Sequence, residues 1–312
     1  MRPLEEIRAI YDSELAPTLA DIQAARETAK KRSWGLFLIL LPVLGVVVLS
    51  VIGLSLLPFG IAVVGAAAVA LIHHGCCRRE QARRFKDVVL RNVLALVAPG
   101  MSYDREKYIP RHQFEKSGIY TTSIDRYSGE DCFWGKYEGV DLMFSEVHAE
   151  ERRKSRDSKG RTHTHYVTIF KGVFFIADFN KDFRTSTFVI PSAGWRWLKK
   201  LGERRGAKLI TLESPEFEKM FAVYAQDAIE ARYILTPNIM ERMIAIQRRF
   251  PGNVAFAFHA SAVHIAIPSR TDFFEPPRTL DFSGVSALYG ELALFFTLVH
   301  ELNLTLRIWT KT

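Results

Sequence analysis

Two histidines and two cysteines fall within five residues in the stretch LIHHGCCRRE, residues 71–80. Both residue types bind metals, but zinc ligands are usually spaced C-x2-4-C and H-x3-5-H. Adjacent residues on a helix point about 100° apart, so His73, His74, Cys76 and Cys77 do not converge on one point. Since an apolar run precedes them and arginines follow, we interpret them as the place where a helix leaves a membrane.

A second group of metal-binding residue types alternates along two predicted strands. These residues are Glu146, His148, Glu150, His163 and His165. Residues two apart on a strand share a face, and opposed residues on neighbouring strands lie about 5 Å apart. One imidazole from each strand and a carboxylate could therefore hold a divalent metal, with His148, His163, His165 and Glu150 as candidate ligands. The alternative is a solvated polar face, which the cations at residues 152–154 favour because they repel a metal ion.

Tryptophans and cations mix in GWRWLKKLGERRGAK, residues 194–208. This mixture is typical of segments that lie among lipid headgroups. The alternative is that the tryptophans pack in a core beside an exposed basic loop. The predicted membrane-contact residues are Trp34, Arg78, Arg79, Trp195, Trp197, Lys199 and Lys200.

Recognised catalytic motifs are absent from the sequence: it has no G-x-x-x-x-G-K-[ST], G-x-G-x-x-G, G-x-S-x-G or H-E-x-x-H. Besides Cys76 and Cys77 there is only Cys132, so no disulfide framework is visible and a reducing compartment fits. The sequence predicts no cofactor and favours an interaction role over an enzyme.

An uncharged apolar block separates Arg32 from Arg78. As one straight helix, residues 34–72 would be roughly twice as long as the hydrocarbon core of a bilayer is thick. The stretch GLSLLPFG, residues 53–60, divides the block into two segments of about 20 residues, each long enough to span. A cleavable signal peptide fits less well, because its apolar part is usually about 7 to 15 residues. We predict a transmembrane helical hairpin over residues 33–77.

Basic residues flank both ends of this block, and its central turn has none. By the positive-inside rule both termini are expected in the cytoplasm. The formal net charge of +8 then fits attraction to anionic lipids of the inner leaflet. No RRM, zinc-finger or basic-zipper pattern supports nucleic-acid binding.

The chain beyond the block predicts an α+β fold with a mainly antiparallel sheet and flanking helices. Two extended runs separated by SRDSKG predict a long hairpin, and VAFAFHA and AVHIAIP predict a short pair of strands. Thr236 and Pro237 are typical of a helix start. A final helix presents an apolar face of Val285, Leu288, Leu292, Phe295, Phe296 and Val299.

Three parts of the chain are predicted. Residues 1–32 form an amphipathic helical lead-in, residues 33–77 the hairpin, and residues 78–312 a cytoplasmic α+β domain.

Several stretches resemble bacterial membrane proteins of domain-of-unknown-function family 3137. They are LEEIRAIYDSELAPTL, TIFKGVFFIADFNKDF, FAVYAQDAIEARYILTPNIMERM and LRIWTK. The resemblance implies a bacterial inner-membrane protein with a cytoplasmic domain, and it implies no reaction. We therefore expect a membrane-anchored interaction or scaffold domain that contacts the bilayer and an unknown protein partner. The alternative is a metal-assisted, membrane-proximal hydrolase using the histidines of the long hairpin.

Overall fold

The computed structural model describes residues 83–192, 206–250, 252–275, 281–302 and 304. Before residue 83 it describes residues 8, 11–17, 19–21, 23–24, 27–28, 31, 35, 68–69, 72, 76 and 80. Most of the predicted hairpin, residues 33–77, therefore lies outside the described residues. The chain divides into two compact units: residues 1–92 with 275–289, and residues 93–274 with 290–312.

The nine strands are β1 Met101–Asp104, β2 Arg126–Tyr137, β3 Val140–Arg156, β4 Thr162–Asp178, β5 Thr187–Pro191, β6 Lys208–Ile210, β7 Phe221–Ala225, β8 Ala255–His259 and β9 Ala262–Pro268. The α-helices are α1 Arg91–Val97, α2 Arg111–Lys116, α3 Pro215–Met220, α4 Ala228–Ile234, α5 Pro237–Arg249 and α6 Phe282–Glu301. Two π-helical turns, Tyr11–Leu15 and Lys86–Leu90, complete the described elements.

All nine strands form one sheet in the larger unit, in the order β1-β2-β3-β4-β9-β8-β5-β7-β6. Every neighbouring pair is antiparallel. The α+β prediction with an antiparallel sheet is confirmed. β4 lies inside the sheet, between β3 and β9, and its apolar run VFFIAD has buried positions on both faces, as a covered strand requires.

Apolar layers cover both faces of this sheet. On one face, Phe144 of β3 stacks against Phe133 at 4.7 Å and against Phe295 of α6 at 5.4 Å between ring centroids. On the other face, Phe114 of α2 packs 4.8 Å from Phe174 of β4. The sheet is therefore a central layer between two apolar layers, and residues of β3 alternate between its two sides.

Local sequence explains where the helices begin. Thr236 caps α5 by accepting a hydrogen bond from the backbone N–H of Ile239, and Pro237 occupies the first turn. Asp227 caps α4 in the same way through Ile229 and Glu230. The predicted start of α5 and the predicted buried face of α6 are both confirmed.

In the smaller unit, side chains of residues 1–92 contact the segment 275–289. The Tyr11 ring lies edge-on to Phe282 with 5.5 Å between centroids, and the Arg8 guanidinium lies over the same ring. The nearly buried amine of Lys86 pairs with the Glu275 carboxylate at 2.7 Å.

Candidate functional site

The candidate metal ligands occupy the long β3–β4 hairpin but do not all converge on one point. Glu146, His148 and Glu150 alternate along β3, and His148 Nε2 lies 3.8 Å from the Glu150 carboxylate. On β4, His165 is paired with Arg153 and His163 with Ser155. The even-numbered and odd-numbered residues of β3 point to opposite faces, so His148 and the other two histidines lie on different sides of the hairpin. Seven residues also separate His148 from the row of His163, about 23 Å along the strand.

A cleft of about 210 Å³ lies where His148 is located. Its polar lining includes Glu146, His148, Lys171 and Asp272. Glu146 is buried and accepts a hydrogen bond from the backbone N–H of Phe273, while Lys171 pairs with Asp272 at 2.9 Å. His148 Nε2 also lies 3.3 Å from the Thr168 hydroxyl. Glu146 and Lys171 thus hold the segment after β9 against the sheet, whereas His148 contacts residues of the hairpin itself. Sequence reasoning missed Lys171 and Asp272, since their contact joins positions far apart in the chain.

The hairpin extends well beyond the rest of the sheet. Pairing of β2 with β3 ends at Glu150, and pairing of β9 with β4 begins at Gly172. Within the described ranges, no other strand pairs with residues 151–167, which we call the β-arm. Six residues of each strand continue alone, about 20 Å in length. Almost all of the β-arm is exposed, so it projects into solvent.

One face of the β-arm is cationic. Arg152, Lys154 and Arg156 alternate along β3, with Tyr166, Thr164 and Thr162 directly opposite them on β4. We call these six residues the cationic face. The face carries no carboxylate, and its three cations are about 7 Å apart along the strand. No acidic side chain among the described residues forms an ion pair with any of the three.

The opposite face of the β-arm is different in composition. It carries Glu151, Arg153 and Ser155 opposite Val167, His165 and His163. Arg153 Nε lies 2.9 Å from the Glu151 carboxylate, so its charge is partly neutralised within the arm. The two faces therefore differ in free positive charge.

Local contacts fix the base of the β-arm. The Asp125 carboxylate accepts a hydrogen bond from the backbone N–H of Arg152 at 2.8 Å, and the Asp125 backbone N–H donates to the Glu150 carbonyl at 2.8 Å. The Arg126 guanidinium lies 3.4 Å from the centre of the Tyr166 ring. These contacts join the beginning of β2 to the arm and set its direction.

The tip of the β-arm is ordered by one carboxylate. Asp157 accepts hydrogen bonds from the backbone N–H groups of Arg161 and Lys159, at 2.8 and 2.9 Å. The Arg161 bond, followed by the contact with His163, holds the pKa of Asp157 below its ordinary value. Gly160 adopts a φ of 76°, a conformation that favours glycine and closes the turn. The sequence signal SRDSKG therefore predicts this turn correctly.

Residues 168–304 match the family model DUF3137, described as a protein of unknown function. This segment belongs to the DUF3137 family. The resemblance to family 3137 is thereby confirmed for these residues, which run from within β4 past the end of α6. The β-arm ends directly before the DUF3137 segment. The match therefore excludes the arm and begins in the part of β4 that follows it.

Comparison with known structures gives a distant likeness. The crystal structure of the mycobacterial trehalose monomycolate transport factor A, TtfA, is similar over 72% of this chain and 94% of that one, at 10% identity and a TM-score of 0.35. A likeness at this level carries no argument about function. No curated protein matches the chain.

The predicted membrane-contact residues lie outside the described residues. They are Trp34, Arg78, Arg79, Trp195, Trp197, Lys199 and Lys200. Among the described helices, only α6 of the DUF3137 segment is long and apolar enough to cross a membrane. Since 56% of its most apolar stretch is buried and Phe295 and Val299 are inaccessible to solvent, α6 is a helix of the protein core.

Proposed function

We propose that this DUF3137 protein is an interaction domain anchored in a bacterial inner membrane, and that the β-arm is the element that contacts its partner. The observation that carries this proposal is the projection of residues 151–167 beyond the sheet. A two-stranded ribbon is at best marginally stable by itself and buries little apolar surface. An ordered arm with an unsupported, charged surface is therefore better explained by an external contact than by folding.

The anchor is argued from the sequence and from a few described residues. Within the second apolar segment, Val69 and Ile72 are helical and 55% and 66% exposed. Large apolar side chains on the outside of a helix suit lipid better than water. With the uncharged block between Arg32 and Arg78 and the basic flanks, this supports two spans with both termini in the cytoplasm.

The hydrolase alternative has no comparable support. Its candidate ligands His148 and His163 are on opposite faces of the hairpin, and the polar groups of the cleft contact other parts of the protein. We therefore do not propose a reaction.

Topology is tested with reporter fusions at both ends of the full chain, combined with alkaline extraction of membranes. We expect both reporters to be active only in the cytoplasm and the chain to stay in the membrane pellet. Reporters on opposite faces, or a chain released by alkali, would refute the anchor.

Contact through the β-arm is tested with a photo-reactive amino acid in native membranes. Ser158 at the tip is one position, and Glu241, exposed on α5, is the matched control. We expect adducts, to protein or lipid, to form predominantly from position 158. Equal yields from both positions would show that the arm is not the contact element.

A further inference from the structure

We propose that the cationic face of the β-arm binds anionic phospholipid headgroups of the bilayer that holds the helical hairpin. This inference rests on the proposed function, because it names the partner of the same arm. The predicted lipid-contact segment around Trp195 and Trp197 is a separate part of the chain.

Charge is concentrated in the arm far beyond its share of the chain. Residues 151–167 carry six Lys and Arg residues against two acidic residues, about half of the net charge of +8. Arg152, Lys154 and Arg156 form one row on one face of the ribbon, so more than one of them can meet the headgroups of a membrane surface at once. Basic residues near an anionic leaflet are attracted in this way without a specific pocket.

The composition of the arm limits how deep it can go. Residues 152–165 contain no apolar side chain. Insertion into hydrocarbon or burial in an apolar protein interface would leave many charges without partners. A contact at headgroup level satisfies them, because phosphates and water remain available there.

Nucleic acid also offers a row of phosphates, and the Arg and Lys side chains of the arm can contact guanine, but the arm carries no Phe or Trp ring on which bases stack. Its single Tyr is Tyr166, and the Arg126 guanidinium at 3.4 Å covers one face of that ring, which leaves at most one face for a base. Base stacking requires a free ring face. Asn and Gln, which pair with adenine, are absent from residues 151–167. An anionic leaflet, in contrast, is attached to the same chain through the proposed anchor.

The ordering of the arm favours binding as well. Asp125 fixes the base through the backbone of Arg152, and Asp157 fixes the tip through two backbone N–H groups. Little backbone freedom is lost when such a ribbon meets a surface, so more of the electrostatic attraction appears as affinity.

The test uses trypsin on the full chain reconstituted in vesicles. One set of vesicles is phosphatidylcholine alone, and the other contains phosphatidylglycerol as well. Cleavage after Lys159, at the tip, is measured by mass spectrometry relative to cleavage after Lys107, an exposed reference in another loop. We expect anionic vesicles to slow cleavage at Lys159 by about tenfold or more, and high salt to remove the protection.

The decisive variant combines Arg152→Gln, Lys154→Gln and Arg156→Gln and keeps Lys159 as the cleavage site. Each basic residue near an anionic leaflet strengthens binding about fivefold, so loss of three should weaken it about 100-fold and abolish protection. The matched control combines Lys136→Gln, Arg153→Gln and Arg248→Gln. It loses the same charge from side chains that already pair with Asp141, Glu151 and Glu216, and it should remain protected.

Each outcome has a distinct meaning. A chain that fails to integrate into vesicles contradicts the anchor, and this inference falls with it. A chain that integrates but is cleaved equally in both lipids overturns the inference while leaving the anchor intact. Protection in neutral vesicles on addition of duplex DNA or RNA, without protection by anionic lipid, would identify a nucleic-acid surface and also overturn it.

Discussion

His264 is a histidine that the fold keeps neutral. It lies on β9 with 6% of its surface exposed, and its Nδ1 has no hydrogen-bond partner among the described residues. Burial lowers its pKa from 6.5 to about 4, assisted by the charges of His259 and Lys116, while a backbone hydrogen bond with Ala257 opposes the shift. The sheet therefore tolerates the imidazole and disfavours the imidazolium.

This gives a pH dependence of stability with a definite sign. Below pH 6.5 the unfolded chain takes up a proton at position 264, whereas the folded chain does not until about pH 4. The folded protein is thus most stable above pH 6.5, and its free energy of unfolding falls as the pH falls through this window, by at most about 3.4 kcal/mol. We expect urea unfolding of His264→Leu to lose most of this dependence. His300→Gln, at a half-exposed histidine, should keep it, and an unchanged slope in His264→Leu would contradict the explanation.

At the scale of an element, shortening the β-arm tests whether the arm contributes to folding stability or serves external contact. Arg152 and Tyr166 are directly opposed, so residues 153–165 can be replaced by Asn-Gly, a two-residue turn that suits an antiparallel pair. Since the removed side chains are predominantly exposed, we expect the free energy of unfolding to change by only about 0.5 kcal/mol. Denaturant unfolding checks this.

Phe170→Ala, at the buried base of the same hairpin, is the contrast. Its ring packs 5.6 Å from Phe114 and 5.4 Å from Tyr120, and truncation should cost about 3 to 5 kcal/mol. If the shortened arm were destabilised as strongly as Phe170→Ala, the arm would be part of the core and its assignment to external contact would be wrong.

The sequence predicts the hairpin better than it predicts the site. Alternation and the turn residues place β3 and β4 nearly at their observed bounds, because period two and a Gly-containing turn are local properties. Which faces of the two strands coincide depends on register. Between Glu150 and the tip, register follows from the turn at residues 157–161, which places His163 and His165 opposite odd-numbered residues of β3, whereas His148 is even-numbered. Glu146, His148 and Glu150 therefore share one face of the hairpin, as predicted. His163 and His165 also share a face, but it is the opposite one.

Short elements are also difficult to read from the sequence. β1 and β7 contain four and five residues and owe their conformation to the neighbouring strands β2 and β5. The contact of Lys171 with Asp272 likewise depends on β9 returning beside β4. Such features depend on tertiary pairing, which no local pattern encodes.

For the whole molecule, the proposed function requires that the uncharged block lies in lipid, and this can be tested by charge. Arg in the middle of a spanning helix costs about 2.5 to 3.5 kcal/mol. Two arginines in each apolar segment should therefore prevent stable insertion. The variant that provides them combines Val47→Arg, Val48→Arg, Ala66→Arg and Ala67→Arg. We expect this chain to leave the membrane pellet on alkaline extraction, whereas the unaltered chain stays.

A control variant tests whether four added positive charges by themselves release the chain from the membrane. The control therefore places four arginines at exposed positions of the larger unit: Ser102, Thr121, Ser123 and Thr211. Because these positions are on the surface of the folded domain, the control should remain in the pellet as the unaltered chain does. Were the control released and the block variant retained, the domain's own surface rather than the apolar block would be holding the protein at the membrane, and the two-span anchor would have to be abandoned.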